Sequence, residues 1–340
     1  MLPRLLALSL ACLSLASEAR RDLHRFEAVE PHMGTLVRIT AYAPGEQSAR
    51  DGFRAAFDRI GDLEAILSDY RPDSELSQVT RRAVRSAVTV SEDLFKVLLA
   101  SQELAEATGG AFDITQGPVV RLWREARATR RAPNPAALRA AAERSGFRKL
   151  HLDATTSAVR FDRGGMMLDV GAIGKGYAAS EALEVLRGHG LRSALVAVSG
   201  DLAFGDAPPG HPGWRIGVHS EDPSLLGVPG VLVLTNAAVS TSGADEQHVE
   251  IDGRRYSHII DPASSTGLTA DITVTVVAPD GLQADGLDTA VSVLGPRRGF
   301  DLVDARPGTA ALVVQRTSTG TIALTSSRFQ ALAEHQSGMR

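Results

Sequence analysis

Apolar and polar side chains alternate over residues 36–43 (LVRITAYA), the period of a half-buried strand. The period then changes: Phe53, Phe57, Ile60, Leu63 and Leu67 recur at helical spacing within 48–67 and predict a helix with one apolar face. A second helix is expected from an N-cap at Ser91 to Gly109, with Leu94, Leu98 and Leu104 on its inner side. Asn134 and Pro135 announce a third, stopped near Gly146. Arginines crowd residues 121–148 around it, a pattern that reads as a solvated face. Beyond residue 150 short strands dominate: AVRF (158–161), MMLDV (166–170), SALVAVS (193–199), WRIGV (214–218), VLVLT (231–235), HVEID (248–252), RYSHII (255–260) and ITVTVVA (272–278). One helix after Gly176 and another from Asp285 to Leu294 interrupt them. Strands arriving in runs favour antiparallel pairing and an α+β or mixed α/β architecture over a doubly wound sheet. With no internal repeat and no Pro/Gly/Ser-rich linker, one large globular unit with mainly antiparallel sheets and flanking helices is expected.

Composition narrows the function classes. The 340 residues are 44% apolar, enough for a substantial core, and a net charge of -4 leaves no electrostatic footprint for nucleic acid. Among 36 basic residues only Lys96, Lys149 and Lys175 are lysines, which makes a lysine inside a glycine loop conspicuous. Residues 1–19 carry an early arginine, an apolar run and small residues ending at Ala19, the pattern of a secretory signal peptide, so export is expected and the working domain is residues 20–340. The sole cysteine, Cys12, falls within that run and leaves no internal disulfide. A lipid-anchored form would acylate Cys12, but Ser9 stands where a lipobox usually has leucine, and cleavage near Ala19 is the favoured expectation.

Four clusters can carry chemistry. In LDVGAIGKGYAAS (168–180), Gly171, Gly174 and Gly176 surround Lys175 ahead of a helix. Such a loop cradles phosphate or serves close packing, and its spacing departs from both Walker A and GxGxxG. In ADGLDTAVSVLG (284–295), Asp285, Asp288 and Thr289 stand at i, i+3 and i+4, one helical face of hard oxygen ligands suited to Mg²⁺ beside a substrate phosphate. Helix capping by Asp285 is the structural alternative. In RRYSHIIDPASSTG (254–267), His258 lies near a strand end, placed either as a base facing a cleft or as a structural histidine. In TGGAFDITQGPVVRLW (108–123), Phe112 stacks on a planar ligand with Asp113 accepting hydrogen bonds, or the two are core and turn former. PHMGT (31–35) and LSDYRPDSELS (67–77) are corners of the kind that line pockets. No GxSxG elbow, paired cysteine ligands or HExxH occurs, so serine hydrolase and zinc peptidase readings lack support.

Taken in chain order, MGT, SDYRPDSELS, GGAFDITQGPVVRLW, LDVGAIGKGYA, SGD, YSHIIDP and ADGLDTA resemble the motif series of the FAD:protein FMN transferase family, the ApbE type, from about residue 30 onward. The resemblance implies an ApbE-like fold that binds Mg²⁺ and FAD, moves the FMN half onto a threonine of an acceptor flavoprotein and releases AMP. By motif position it implies a metal site of Asp285, Asp288, Thr289 and the Ala172 carbonyl, with His258 as the base for the acceptor hydroxyl. It places FAD against Met33, Tyr70, Ala111, Phe112, Asp113, Asp169, Lys175 and Ile259. Members commonly act outside the cytoplasmic membrane, in agreement with the leader.

Some positions depart from the family pattern: Ser199 for a usual glycine, Ile114 for a common proline, an extra residue before Thr266 and Gly267, and Ala244-Asp245-Glu246 in place of aromatic neighbours. They bear on the flavin pocket and acceptor docking and leave every proposed metal and base residue intact. Two competing readings stand beside this one. An FAD pyrophosphatase would give FMN and AMP with water as acceptor, and a non-catalytic flavin carrier would have no need of His258 or the metal residues.

Overall fold

The computed structural model describes residues 22–218, 230–243 and 247–337, so the expected leader at 1–19, with Cys12, and the departure at 244–246 lie outside the described residues. Helices α1 (Glu46–Leu67), α2 (Glu75–Arg82), α3 (Glu92–Thr108), α4 (Gly117–Thr129), α5 (Pro135–Ala142), α6 (Gly174–Gly188), α7 (Gly281–Asp304) and α8 (Ser327–Ser337) surround an eight-stranded sheet. Its strands run, in spatial order, His24–His32, Thr35–Ala43, Ala194–Val198, Asp201–Phe204, Ala237–Gly243, Ile272–Ala278, Ala310–Thr317 and Gly320–Thr325. Every neighbouring pair is antiparallel, as the runs of strands predict.

The central strands are apolar on both faces because both faces are covered. Ile272, Val274, Val276 and Ala278 point into the core shared with α3, α6 and α7, whereas Val277 joins Phe204, Trp214, Leu312 and Phe329 on the opposite side. Small antiparallel pairs complete the molecule, among them Trp214–Gly217 with Val231–Leu234 and His248–Ile251 with Arg254–Ser257. The first two strands close through a two-residue turn at Met33 and Gly34, both with positive φ (50° and 73°), the geometry that suits the right-handed strand twist. Glu64 of α1 accepts the Met33 amide at 3.0 Å and fixes that corner.

Expected helix starts hold where a cap is present. Ser91 accepts from the Leu94 amide and Gly109 ends α3 at φ 65°, while Asn134 caps α5 through the Ala136 and Ala137 amides. The expected α5 is too long, since it ends at Ala142 rather than near Gly146. Helix α6 starts at Gly174, ahead of the predicted Gly176. Residues 166–170 do not form a strand. Met167 makes an isolated parallel bridge to Gln116, and Met166, Leu168 and Val170 bury against the helical core instead of beside a strand. His258 falls between the strands Arg254–Ser257 and Ile260–Asp261, so RYSHII is two strands and a joint.

Helix α7 begins at Gly281, one turn before the predicted Asp285, because Asp280 takes the capping role by accepting from the Gln283 amide at 2.9 Å. It continues past Leu294 to Asp304 across a kink at Gly295 (φ 74°) and Pro296. Helices α6 and α7 approach until their backbones touch: a Cβ on Gly176 or on Gly281 would lie 2.0 Å from the other residue's carbonyl oxygen. Gly281→Ala is therefore expected to destabilise the protein by about 3 kcal/mol or more, since backbone cannot give way as a flexible side chain would. An unchanged urea midpoint for that variant would refute this account of the crossing.

Candidate functional site

The strand residues Asp201 and Ser240 stand directly opposite each other in an antiparallel pair. Parity turns both toward the helices, because Asp201 shares the face of Ala203 and Ser240 that of Ala238, two residues of the helix-side core. Helix α7 lays Asp285 and Asp288 over them from one face of its second turn onward. Ligand atoms of Asp201, Asp285 and Asp288 all come within 4.8 Å of one another, and all three residues are buried.

Helix α6 supplies the counter-charge. Lys175 Nζ ion-pairs with Asp201 and lies 3.8 Å from Asp285, and the Gly176 amide donates to Asp285 at 2.9 Å. Asp285 thereby caps the uncapped N-terminus of α6 from the neighbouring helix, so its predicted capping role exists but serves another element. The glycine loop is thus built for packing at Gly176, and that packing carries Lys175 to the carboxylates.

One ammonium among three carboxylates leaves surplus negative charge. Burial first, then the charge of Asp201, pushes the Asp285 carboxyl up to about 7, and burial with Asp285 raises Asp288 well above its usual range. Burial opposes the Lys175 charge, yet Asp285 and Asp201 push its pKa upward. Ser240 Oγ lies 2.5 Å from Asp288 and also contacts Asp201, although a hydroxyl has one proton to donate. A second positive charge among hard oxygen donors relieves both strains, so these residues fit a divalent cation of the Mg²⁺ type. Thr289 Oγ1 donates to Asp288 Oδ1 at 3.2 Å at the half-buried edge of the cluster, and Ala172 sits in the turn that opens α6.

His258 donates from both its amide (3.0 Å) and Nδ1 (3.1 Å) to the Gln247 carbonyl. That assignment leaves Nε2 as the unprotonated nitrogen. Burial chiefly, with Arg127 and Lys175, lowers its pKa, so the ring is neutral near pH 7 and able to accept a proton.

A third group is built around Arg124. Tyr70 is 74% exposed with the Arg124 guanidinium 4.2 Å from its ring centroid, and Arg124 bridges Asp69 and Asp169, the latter at 2.7 Å. Arg121, Arg130, Arg131, Arg139 and Arg148 are exposed, as a solvated face requires, whereas Arg124 and Arg127 are half-buried exceptions to it. The two flank the buried Trp123 and Ala126 along α4.

Other expected contacts resolve toward structure. Phe112 is 2% exposed, its ring packed in the main core, where burial of apolar area stabilises it. Asp113 is a turn former: its oxygens accept from the Thr115 amide and hydroxyl, Gln116 Nε2 and the Phe147 amide. Ala111 and Asp113 are half-buried, and Ile259 is buried beside His258. Met33 reaches both helix-side core clusters from the hairpin corner. Asp201, Ser240, Asp69 and Arg124 carry roles that the motifs did not assign.

The ApbE family model matches residues 33–313. A Treponema pallidum protein named FAD:protein FMN transferase is 34% identical over 312 residues, 87% of this chain and 86% of its own length. The Salmonella typhimurium protein of the same name is 29% identical, with 85% and 83% covered. Among solved structures, the flavin transferase ApbE from Vibrio cholerae superposes with a TM-score of 0.82 at 27% identity, covering 91% of this chain and 99% of that one. The apo form of Pseudomonas stutzeri flavinyl transferase ApbE gives 0.78 at 28% identity, with 91% and 97% covered.

Proposed function

The chain belongs to the ApbE family, and on that premise we propose that it is a Mg²⁺-dependent FAD:protein FMN transferase acting on a threonine of an acceptor flavoprotein. The observation that carries the metal dependence is the buried Asp201, Asp285 and Asp288 cluster with Lys175 at its side. These three carboxylates, with Thr289 Oγ1 and the Ala172 carbonyl, would hold Mg²⁺, which when bound supplies positive charge to the pyrophosphate oxygens. Export, expected from residues 1–19, belongs to the same proposal and places the acceptor outside the cytoplasmic membrane.

The chain's own groups account for the rest. Lys175, fixed between Asp201 and Asp285, offers a permanent positive charge to the diphosphate. Nε2 of His258 takes the proton of the threonine hydroxyl, whose oxygen bonds to the FMN phosphorus as the bond to AMP breaks and AMP leaves with the electron pair. The Gln247 carbonyl holds the ring in the tautomer that this transfer needs. No enzyme-borne nucleophile takes part, in keeping with the absence of a nucleophile motif.

One incubation tests the proposal: purified protein, FAD and Mg²⁺, with AMP followed in the presence and absence of a threonine-bearing acceptor domain. Covalent flavin on the acceptor, with AMP formed in step, is the expected result. Rapid AMP release without acceptor would replace the transferase with a pyrophosphatase.

The raised carboxyls set a pH dependence for the metal. Asp285, pushed up to about 7, and Asp288 above its usual range hold protons that a cation must displace. Affinity for Mg²⁺ therefore weakens as pH falls through about 7, and Mg²⁺ is expected to raise the melting temperature more at pH 8 than at pH 6. Equal shifts at the two values would contradict the assignment of these carboxylates as ligands.

A further inference from the structure

Tyr70 is an exposed ring with one covered face. A tyrosine 74% open to solvent ordinarily samples several rotamers, and immobilising it on binding costs ligand affinity. Here the Arg124 guanidinium, 4.2 Å from the ring centroid, covers one face and leaves the other open. The guanidinium is itself immobilised, since Nη1 donates to Asp69 and Nη2 to Asp169 Oδ2 at 2.7 Å. Those carboxylates come from two separate segments, the end of α1 and the loop before α6, and each would repel the other without the cation between them.

Asp169 carries the arrangement further. Its Oδ1 accepts the Gly171 amide at 2.9 Å, and its own amide donates to the Ile114 carbonyl at 2.8 Å. The fork that holds Tyr70 is therefore continuous with the loop that presents the Ala172 carbonyl beside the carboxylate cluster. Arg124 touches neither that cluster nor His258, so the ion pairs have a purpose other than charge balance at the reacting atoms.

We propose that Arg124 is a positioning residue: held between Asp69 and Asp169, it fixes the Tyr70 ring as the platform on which the planar ring system of the flavin dinucleotide stacks. The inference rests on the flavin-transfer reading and adds to it a residue that acts through Tyr70. A lysine in its place would keep the charge and lose both the two-armed fork and the flat face, so charge alone does not suffice.

The consequence is a specific non-additivity. Arg124→Ala and Tyr70→Ala are each expected to weaken FAD binding, measured by perturbation of the flavin absorbance, by about 10-fold. The double variant is expected to bind no more weakly than Tyr70→Ala alone, because the platform that Arg124 organises is already gone. The KM for FAD rises in Arg124→Ala while kcat at saturating FAD stays near the wild-type value. Arg124→Lys is expected to bind FAD as weakly as Arg124→Ala.

Removing Arg124 leaves Asp69 facing Asp169 and invites local unfolding, so the cycle is repeated with Arg124→Gln combined with Asp69→Asn, which removes that repulsion. The same non-additivity with Tyr70→Ala is expected there. Additive losses in both cycles, or full rescue by lysine, would overturn the inference while leaving flavin transfer in place. Wild-type protein that fails to bind FAD would overturn the flavin reading itself.

Discussion

Replacing Asp285 with alanine is expected to reduce FMN transfer by about 10³-fold or more, because the residue meets three needs at once. It contributes one carboxylate to the buried cluster, pairs at 3.8 Å with Lys175, and accepts the Gly176 amide that opens α6. Stability should move the other way for a neighbour. The folded-state pKa of Asp288 is raised, so its carboxylate form costs stability above its unfolded pKa near 3.8, and that cost is largest at alkaline pH. Asp288→Asn is therefore expected to raise the melting temperature at pH 8 in EDTA while abolishing the stabilisation by Mg²⁺. AMP release and thermal melts with and without Mg²⁺ measure both. Normal turnover by Asp285→Ala would reject the metal assignment, and a lower apo melting temperature for Asp288→Asn would reject the charge argument.

That opposition of stability and function explains which parts of the site are visible in one dimension. Asp285, Asp288 and Thr289 share a helical face, so spacing alone brings them together. Asp201 is reached only through sheet parity: it falls on the helix-side face with Ala203, and its partner across the strands is Ser240, 39 residues away. A polar residue on the inward parity of an apolar strand is the signal that was available in SGD and STSG, but it has meaning only once the face is known to be covered by helices. The same limit applies to Arg124. Its charge suggests solvent, and only the fold brings Asp69 and Asp169, distant in the chain, to its two arms. Phe112 and Asp113 show the reverse, since residues suited to a ligand are consumed by the core and by a turn. Gly176 was open between phosphate cradle and packing, and the backbone of α7 at Gly281 decides for packing. Antiparallel pairing follows from the grouping of strands, but their order in the sheet does not, and the missing strand at 166–170 shows that an apolar run flanked by glycines also serves as a buried connector.

His258→Ala is expected to slow transfer by about 10² to 10⁴-fold while leaving FAD binding within a small factor of wild type, the separation expected of a general base. The geometry supports a base because Nδ1 is committed to the Gln247 carbonyl, which leaves Nε2 to receive a proton. The electrostatics support it because burial, Arg127 and Lys175 hold the pKa below its usual value near 6.5, so the ring is already neutral where the acceptor hydroxyl must be activated. A depressed base pKa carries a sign that kinetics can read. With Mg²⁺ saturating, kcat should stay level between pH 8 and pH 7 and fall only below the ordinary histidine range, as the imidazole becomes protonated. That acid limb should vanish in His258→Ala, leaving a slow, flat rate. An acid limb that persists in the variant would transfer the role of base to another group, and a loss of FAD affinity equal to the loss of rate would make His258 a wall of the pocket.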